Sequence, residues 1–178
     1  MQQQLIMVCR ACGTFWPADA EPACREEGHP HQRMEVHRHL DPVQLPDGTE
    51  VIGVSFDLGD PYRREQTPDF GLYLDPRWQP PWPHDHLDWP DFGVPQDPER
   101  VRSVLGQVLA RARSGERVEI GCLGGHGRTG TALAGLVALS GLPAEDAVDY
   151  VRDQYCPRAV ETAEQETYVD LLFGSTQH

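Results

Sequence analysis

Five residues separate Cys122 from Arg128, and three of them, Gly124, Gly125 and Gly127, are glycine. A thiol loses its proton more easily beside a guanidinium and the positive end of a helix, and the thiolate is a strong nucleophile. A guanidinium offers a fork of donors that fits two oxygens of one phosphate. Backbone N–H groups of Leu123, Gly124, Gly125, His126, Gly127 and Arg128 can line a concave anion site between them, with the glycines permitting positive φ and a close approach. Thr129 follows and can hydrogen-bond the sulfur. The chemistry this set suits is attack by sulfur on a phosphorus held in a cradle of N–H donors.

Such a loop must be held by its neighbours. Val118–Ile120 reads as a buried strand leading into it, and Thr131–Leu139 as a buried helix leading out. A glycine-rich turn between strand and helix places the helix N-terminus against the anion. Upstream, Asp97 and Pro98 form an N-cap and first-turn pair for a helix whose apolar face is Val101, Val104, Leu105, Val108, Leu109 and Ala112, ending at Gly115. Val51–Phe56 and Phe70–Asp75 read as strands, His39–Thr49 as a connector, and Pro76–Pro83 as an ordered loop. His84 and His86, beside Asp85 and Asp88, fit a strand edge better than a metal site. The helix after Gly141-Leu142-Pro143 turns Ala147, Val148, Val151 and Tyr155 inward, and Cys156 reads as a small core residue. Thr162 and Gln165 make a capping-box pattern before a last helix. The fold class expected is α/β, a central twisted sheet flanked by helices, with Cys122 at the carboxyl end of a strand where open α/β sheets bind ligands.

Cys-x5-Arg-Thr-Gly at 122–130 resembles the signature loop of the cysteine-dependent protein tyrosine phosphatase superfamily. Trp89-Pro90-Asp91-Phe92-Gly93-Val94-Pro95 looks like its mobile acid loop, and Val160-Glu161-Thr162-Ala163-Glu164-Gln165 is similar to the segment that positions its hydrolytic water. The resemblance implies hydrolysis of a phosphomonoester through a phosphocysteine, with no metal in the chemistry. Cys122 is then the nucleophile, Asp91 the acid and later the base, and Gln165 a contact of the water. Two departures stand out. Glu161 replaces the glutamine usual in tyrosine-specific members, which favours the compact dual-specificity type. Gly121 replaces the histidine that usually precedes the nucleophile, so the thiol is expected to titrate below the free value of about 8.5 but near the top of the roughly 3.5–7.5 range of activated thiols. His126 can partly compensate. The leading substrate is a phosphotyrosine protein, with phosphoserine, phosphothreonine, inositol phosphates and nucleotides open. The rival readings are a catalytically silent phosphate-binding module and a thiol redox or sulfur-transfer protein; the second leaves the acid loop unexplained.

The amino-terminal part carries a different pattern. Cys9-Arg10-Ala11-Cys12-Gly13 is a Cys-x2-Cys knuckle closed by glycine, followed by Cys24, His29 and His31. Three cysteines with one of these histidines make a tetrahedral structural zinc set; His37 and His39 are weaker candidates. The stretch Pro17–Pro30 has few apolar residues, and a metal would supply the stability it lacks. Residues 1–40 are therefore expected to form a small zinc-binding module, available to a protein partner, and residues 41–178 the phosphatase domain.

The 178-residue chain carries a net charge of −13, which argues against nucleic acid and anionic membranes as partners. Five cysteines, one of them catalytic in this reading, do not suggest a disulfide framework. Met1–Val8 has no basic region and no long apolar core, so no signal peptide is expected. A reducing cytoplasm is the expected home.

Overall fold

The computed structural model describes residues 3–56 and 59–174, and these fall into two compact units. The smaller comprises Met1–Arg38 with Asp57–Arg63, and the larger His39–Phe56 with Arg64–His178.

The smaller unit is a three-stranded antiparallel sheet of order β2-β1-β3: β1 Gln3–Cys9, β2 Phe15–Pro17 and β3 His31–His37. Register pairs Met7 with Trp16 and with Arg33. Its buried apolar cluster is only Cys9, Trp16 and Cys24, with Met7 packed against it. The apolar run Leu5–Val8 fits a strand, whereas β2 and β3 have no alternating apolar pattern to reveal them.

The larger unit is a five-stranded sheet of order β4-β5-β8-β6-β7. The strands are β4 Leu40–Gln44, β5 Glu50–Ser55, β6 Phe70–Tyr73, β7 His84–His86 and β8 Val118–Cys122. β5, β6 and β7 run parallel in the ladder centred on β8, and β4 pairs antiparallel at one edge. β4 lies where a connector was expected. Pro42 is tolerated because an edge strand need not donate every N–H, and only Val43 of its five residues is buried, so periodicity could not reveal it. The central strand β8 is buried along its whole length and ends on Cys122.

Four helices cover the sheet: α1 Pro98–Arg113, α2 Gly127–Leu139, α3 Ala144–Gln154 and α4 Ala163–Phe173. Asp97 caps α1 by accepting from Arg100 N at 3.0 Å. α2 is buried from Gly127 to Val137, which is what an apolar helix without a polar face requires. It starts four residues before the Thr131 expected from hydropathy, so Arg128 and Thr129 belong to its first turn. The loop Pro76–Pro83 is ordered by Trp78, fully buried and stacked on Tyr73 with ring centroids 4.5 Å apart.

β8 also carries a buried acid. Glu119 binds Arg64 through Nε at 2.9 Å and through NH2 at 3.0 Å, and it accepts from Tyr73 OH at 2.6 Å. Trp82 Nε1 donates to the same tyrosine oxygen at 2.7 Å. The two charged side chains are 5% and 1% exposed, so removing one strands the other without water. Arg64→Met is expected to lower unfolding stability by about 3–5 kcal/mol. Arg64→Met with Glu119→Gln removes both charges, keeps an acceptor for Tyr73 and should lose less; urea denaturation of the two variants decides, and a double variant no more stable than the single would refute the account.

Candidate active site

β8 delivers Cys122 and α2 delivers Arg128, so the loop between them is fixed at both ends by buried structure. Cys122 is 2% exposed, and its sulfur accepts the Gly125 N–H at 3.2 Å. Trp78 Nε1 donates to the Cys122 carbonyl at 3.1 Å, which pins the strand end. Gly125 is the loop residue with a positive φ, +73°. A side chain there would also crowd His39, Ser55 and Tyr155, and Tyr155 OH holds the Gly125 carbonyl at 2.7 Å. Gly124 and Gly127 do not use positive φ, contrary to expectation. Gly127 is needed for space: a methyl group there would collide with Glu161 Oε2 and lie 3.2 Å from the Gln165 amide.

Arg128 is buried, and its guanidinium is divided among several partners. NH1 donates to Leu74 O at 2.9 Å and, more distantly, to Trp89 O at 3.5 Å. NH2 pairs with Asp75 Oδ2 at 3.1 Å and reaches Asp91 Oδ1 at 3.4 Å. Nε has no partner among the described residues. An N–H in that position is a donor left for an incoming anion. Asp75, 5% exposed, balances the buried charge and was missed in the sequence. The signal for it was weak: an acid at the end of the strand neighbouring the nucleophile strand.

Asp91 comes from the loop Trp89–Pro95. Trp89 is buried and its Nε1 donates to Gly93 O at 2.9 Å, which closes the loop on its own anchor. Asp91 is half exposed, on the Arg128 side. The following Phe92 has φ +59° and is exposed. Gln165, fully buried, donates from Nε2 to Gly93 O at 3.3 Å and accepts Glu161 N–H at 2.9 Å. The capping pattern is thus modified. Thr162 Oγ1 does accept Gln165 N–H at 3.2 Å, but the glutamine reaches one residue before the cap and uses its other end to hold the acid loop.

Glu161 brings a second carboxylate to the loop. As a residue it is exposed, yet its carboxyl is packed over Gly127. Burial of that carboxyl, and then the charge of Asp91, push its pKa above the ordinary glutamate value, while the cations Arg158 and Arg128 and the Gly127 N–H pull the other way.

The structure also corrects one expectation. Thr129 does not hydrogen-bond the sulfur: its hydroxyl is buried with no partner among the described residues, and the early start of α2 draws Thr129 into the helix. His126 turns its outer nitrogen to His39. Its Nε2 lies 3.1 Å from His39 Nε2, and His39 Nδ1 lies 2.6 Å from Asp41 Oδ2. Burial pushes His39 below the ordinary histidine value against the pull of Asp41. A neutral His39 donating Nδ1–H to Asp41 must accept at Nε2, so His126 carries its proton on Nε2 and points it at His39. His126 therefore braces the loop. Finally, Gly121 cannot simply be exchanged for histidine, since a Cβ there would meet Val54 Cγ2 at 2.5 Å and the Trp78 ring at 3.1 Å.

The remaining candidates lie elsewhere. Cys9, Cys12, Cys24 and His29 converge in the smaller unit, and His31 is not among them. His84 and His86 bond to the backbone carbonyls of Trp82 and Trp78 at 2.8 and 2.7 Å, which satisfies them without a metal. Cys156 is buried, and burial pushes its thiol up.

Residues 79–166 match the family described as Protein-tyrosine phosphatase. An uncharacterised protein of Methanocaldococcus jannaschii is 42% identical over 79 residues, 44% of this chain and 52% of that protein. The chain spans about half the length of the curated relatives it matches. Kinase associated phosphatase, in a form with its catalytic cysteine replaced by serine, has a TM-score of 0.59 over 77% of this chain and 96% of its own; at 16% identity the likeness shows the fold alone. Tk-PTP in its active form has a TM-score of 0.53 and 31% identity, covering 59% of this chain and 78% of its own. An identity of that size over most of Tk-PTP reaches well past the Cys-x5-Arg loop, and the chain belongs to the protein-tyrosine phosphatase family.

Proposed function

We propose that the protein hydrolyses phosphomonoesters through a phosphocysteine intermediate, with a protein tyrosine or dual-specificity phosphatase activity. The observation that carries this reading is the pairing of a buried Cys122 sulfur under the loop N–H groups with an Arg128 whose Nε–H is uncommitted. Cys122 thiolate attacks phosphorus, the P–O bond to the leaving group breaks, and that oxygen takes the proton of Asp91. Water then attacks the phosphocysteine, a carboxylate takes its proton, and the P–S bond breaks to return the thiolate. The N–H groups of 123–128 and Arg128 stabilise the charge on the transferring oxygens. Among the described residues no helix is long and apolar enough to cross a membrane, and the reading requires no membrane substrate.

Asp91 beside Arg128 and Glu161 beside Gly127 face one loop, and they divide the proton work between them. Asp91 supplies the proton to the leaving oxygen. Glu161, on the segment held by Gln165, orients and deprotonates the water in the second step. The silent phosphate-binding alternative has no use for two carboxylates at the cradle.

Cys122→Ser should abolish turnover of a phosphotyrosine peptide while vanadate still binds. Running phosphoserine peptide and inositol phosphates in parallel assigns the substrate class, and turnover near that of the unaltered protein would remove Cys122 as the nucleophile.

Asp91→Ala should lower kcat by about 10²–10⁴-fold on a substrate with a poor leaving group. For Glu161 the base form is the ionised one, and its raised pKa delays ionisation, so its contribution switches on as pH rises through that value. Glu161→Gln should therefore slow decay of the phosphocysteine and remove one ionisation from the acidic limb of the kcat profile. An unchanged limb with unchanged kcat would take Glu161 out of the mechanism.

A further inference from the structure

The four side chains Cys9, Cys12, Cys24 and His29 place one ligand atom each within 4.8 Å of all the others. Cys9 Sγ lies 3.5 Å and Cys24 Sγ 3.4 Å from the same nitrogen, His29 Nδ1. A tetrahedral zinc with Zn–S of about 2.3 Å and Zn–N of about 2.0–2.1 Å puts sulfur and nitrogen about 3.6 Å apart. The observed separations fit the edges of that tetrahedron.

The backbone is built for the same purpose. Cys9 closes β1, and the chain turns at once: Cys12 N–H donates to Cys9 Sγ at 3.5 Å and Gly13 N–H to Cys9 O at 2.9 Å. Gly13 completes the turn with φ +71°, a conformation that glycine adopts without cost. The second pair comes from a separate loop, brought alongside by Arg10 N–H donating to Pro30 O at 2.9 Å. Cys9 is fully buried and Cys24 is 6% exposed. Buried sulfur crowded against buried sulfur and a histidine contributes little as apolar packing, yet it makes up most of this unit's core. A unit with so small a core needs another source of stability.

From this convergence we infer that the smaller unit holds one structural zinc ion, bound by the sulfurs of Cys9, Cys12 and Cys24 and by Nδ1 of His29. All four positions are filled by protein, so the site is closed to substrate and supplies folding free energy instead of chemistry. His31, the other histidine compatible with the sequence, lies on β3 with its ring edge-on to Trp16 at 4.8 Å and takes no part. This assignment does not depend on the phosphatase reading.

The test uses the full 178-residue chain, purified without chelators or added metal. Elemental analysis is expected to find about one zinc per chain. X-ray absorption at the zinc edge should fit three sulfurs at about 2.3 Å and one nitrogen at about 2.0–2.1 Å. His31→Ala should retain the full zinc count, whereas His29→Ala and Cys12→Ser should surrender zinc to a chelator that leaves the unaltered protein loaded. Cys122→Ser should also keep its zinc, so that failure of this site and failure of the phosphatase reading are told apart. The count in the unaltered chain decides even if a variant does not fold. No zinc, iron in its place, a disulfide among Cys9, Cys12 and Cys24, or zinc lost from His31→Ala while His29→Ala keeps it would each overturn the assignment.

Discussion

The Arg128 guanidinium is a buried positive charge, and much of the larger unit is arranged to make that tolerable. Burying an ion without compensation costs several kcal/mol, so it must be paired and hydrogen-bonded on every side. Here the compensation comes from the end of β6, through the Leu74 carbonyl and the Asp75 carboxylate, and from the acid loop, through the Trp89 carbonyl and Asp91. One side chain thus ties α2 to β6 and to the loop that carries the acid. The parallel register that sets Tyr73 opposite Gly121 brings the end of β6 level with the end of β8, so Leu74 and Asp75 fall within reach of the loop. The same pairing of strands shapes the fold and the candidate site, and Arg128 Nε is the donor left over after the charge has been anchored.

Strain is concentrated at the same place. Two non-glycine residues among those described have positive φ, Phe92 at +59° and Val160 at +61°. Such conformations cost of order 1–3 kcal/mol, and a β-branched valine suffers more than most residues. Each sits beside a carboxylate of the site: Phe92 follows Asp91, and Val160 precedes Glu161. Both are held by surrounding bonds. Trp89 and Gln165 grip the acid loop through Gly93 O, while Val160 N–H donates to His126 O at 3.3 Å and Arg152 NH2 holds Val160 O at 2.9 Å. The backbone is bent where it must aim an acid at the loop, and hydrogen bonds maintain the bend.

The order of the main elements could be read because each had a local cause. The apolar run before Cys122, the Asp97-Pro98 cap and the apolar face of α1 each specify their structure within one segment. Cys122, Arg128 and Asp91 were picked out by their spacing, and the fold brings the Asp91 carboxylate to within 3.4 Å of Arg128. Asp75, Leu74 and the His39–Asp41 pair were not, since their contribution arises from strands that meet only in the folded sheet. β4 escaped because an edge strand with one buried residue has no period to detect. The choice between His29 and His31 was likewise unreadable. Both follow Cys24 at plausible distances, and only the pairing of β3 with β1 sends one of them to the sheet face.

Gly121 shows how one departure from the family pattern is absorbed by the rest of the site. The strand β8 is wedged between Val54 and Trp78 at that residue, so no side chain can stand before the nucleophile. Support that a histidine would give the loop from that position must come from elsewhere. It comes from the opposite side, where Asp41, His39 and His126 form a hydrogen-bonded line into the loop and Tyr155 holds the Gly125 carbonyl. Gly125 is thereby fixed in its positive-φ turn with its N–H directed at the sulfur. A neutral His39 costs less to bury than a cation would. Bracing from beneath thus holds the loop in place where the packing around Gly121 leaves no room for a side chain.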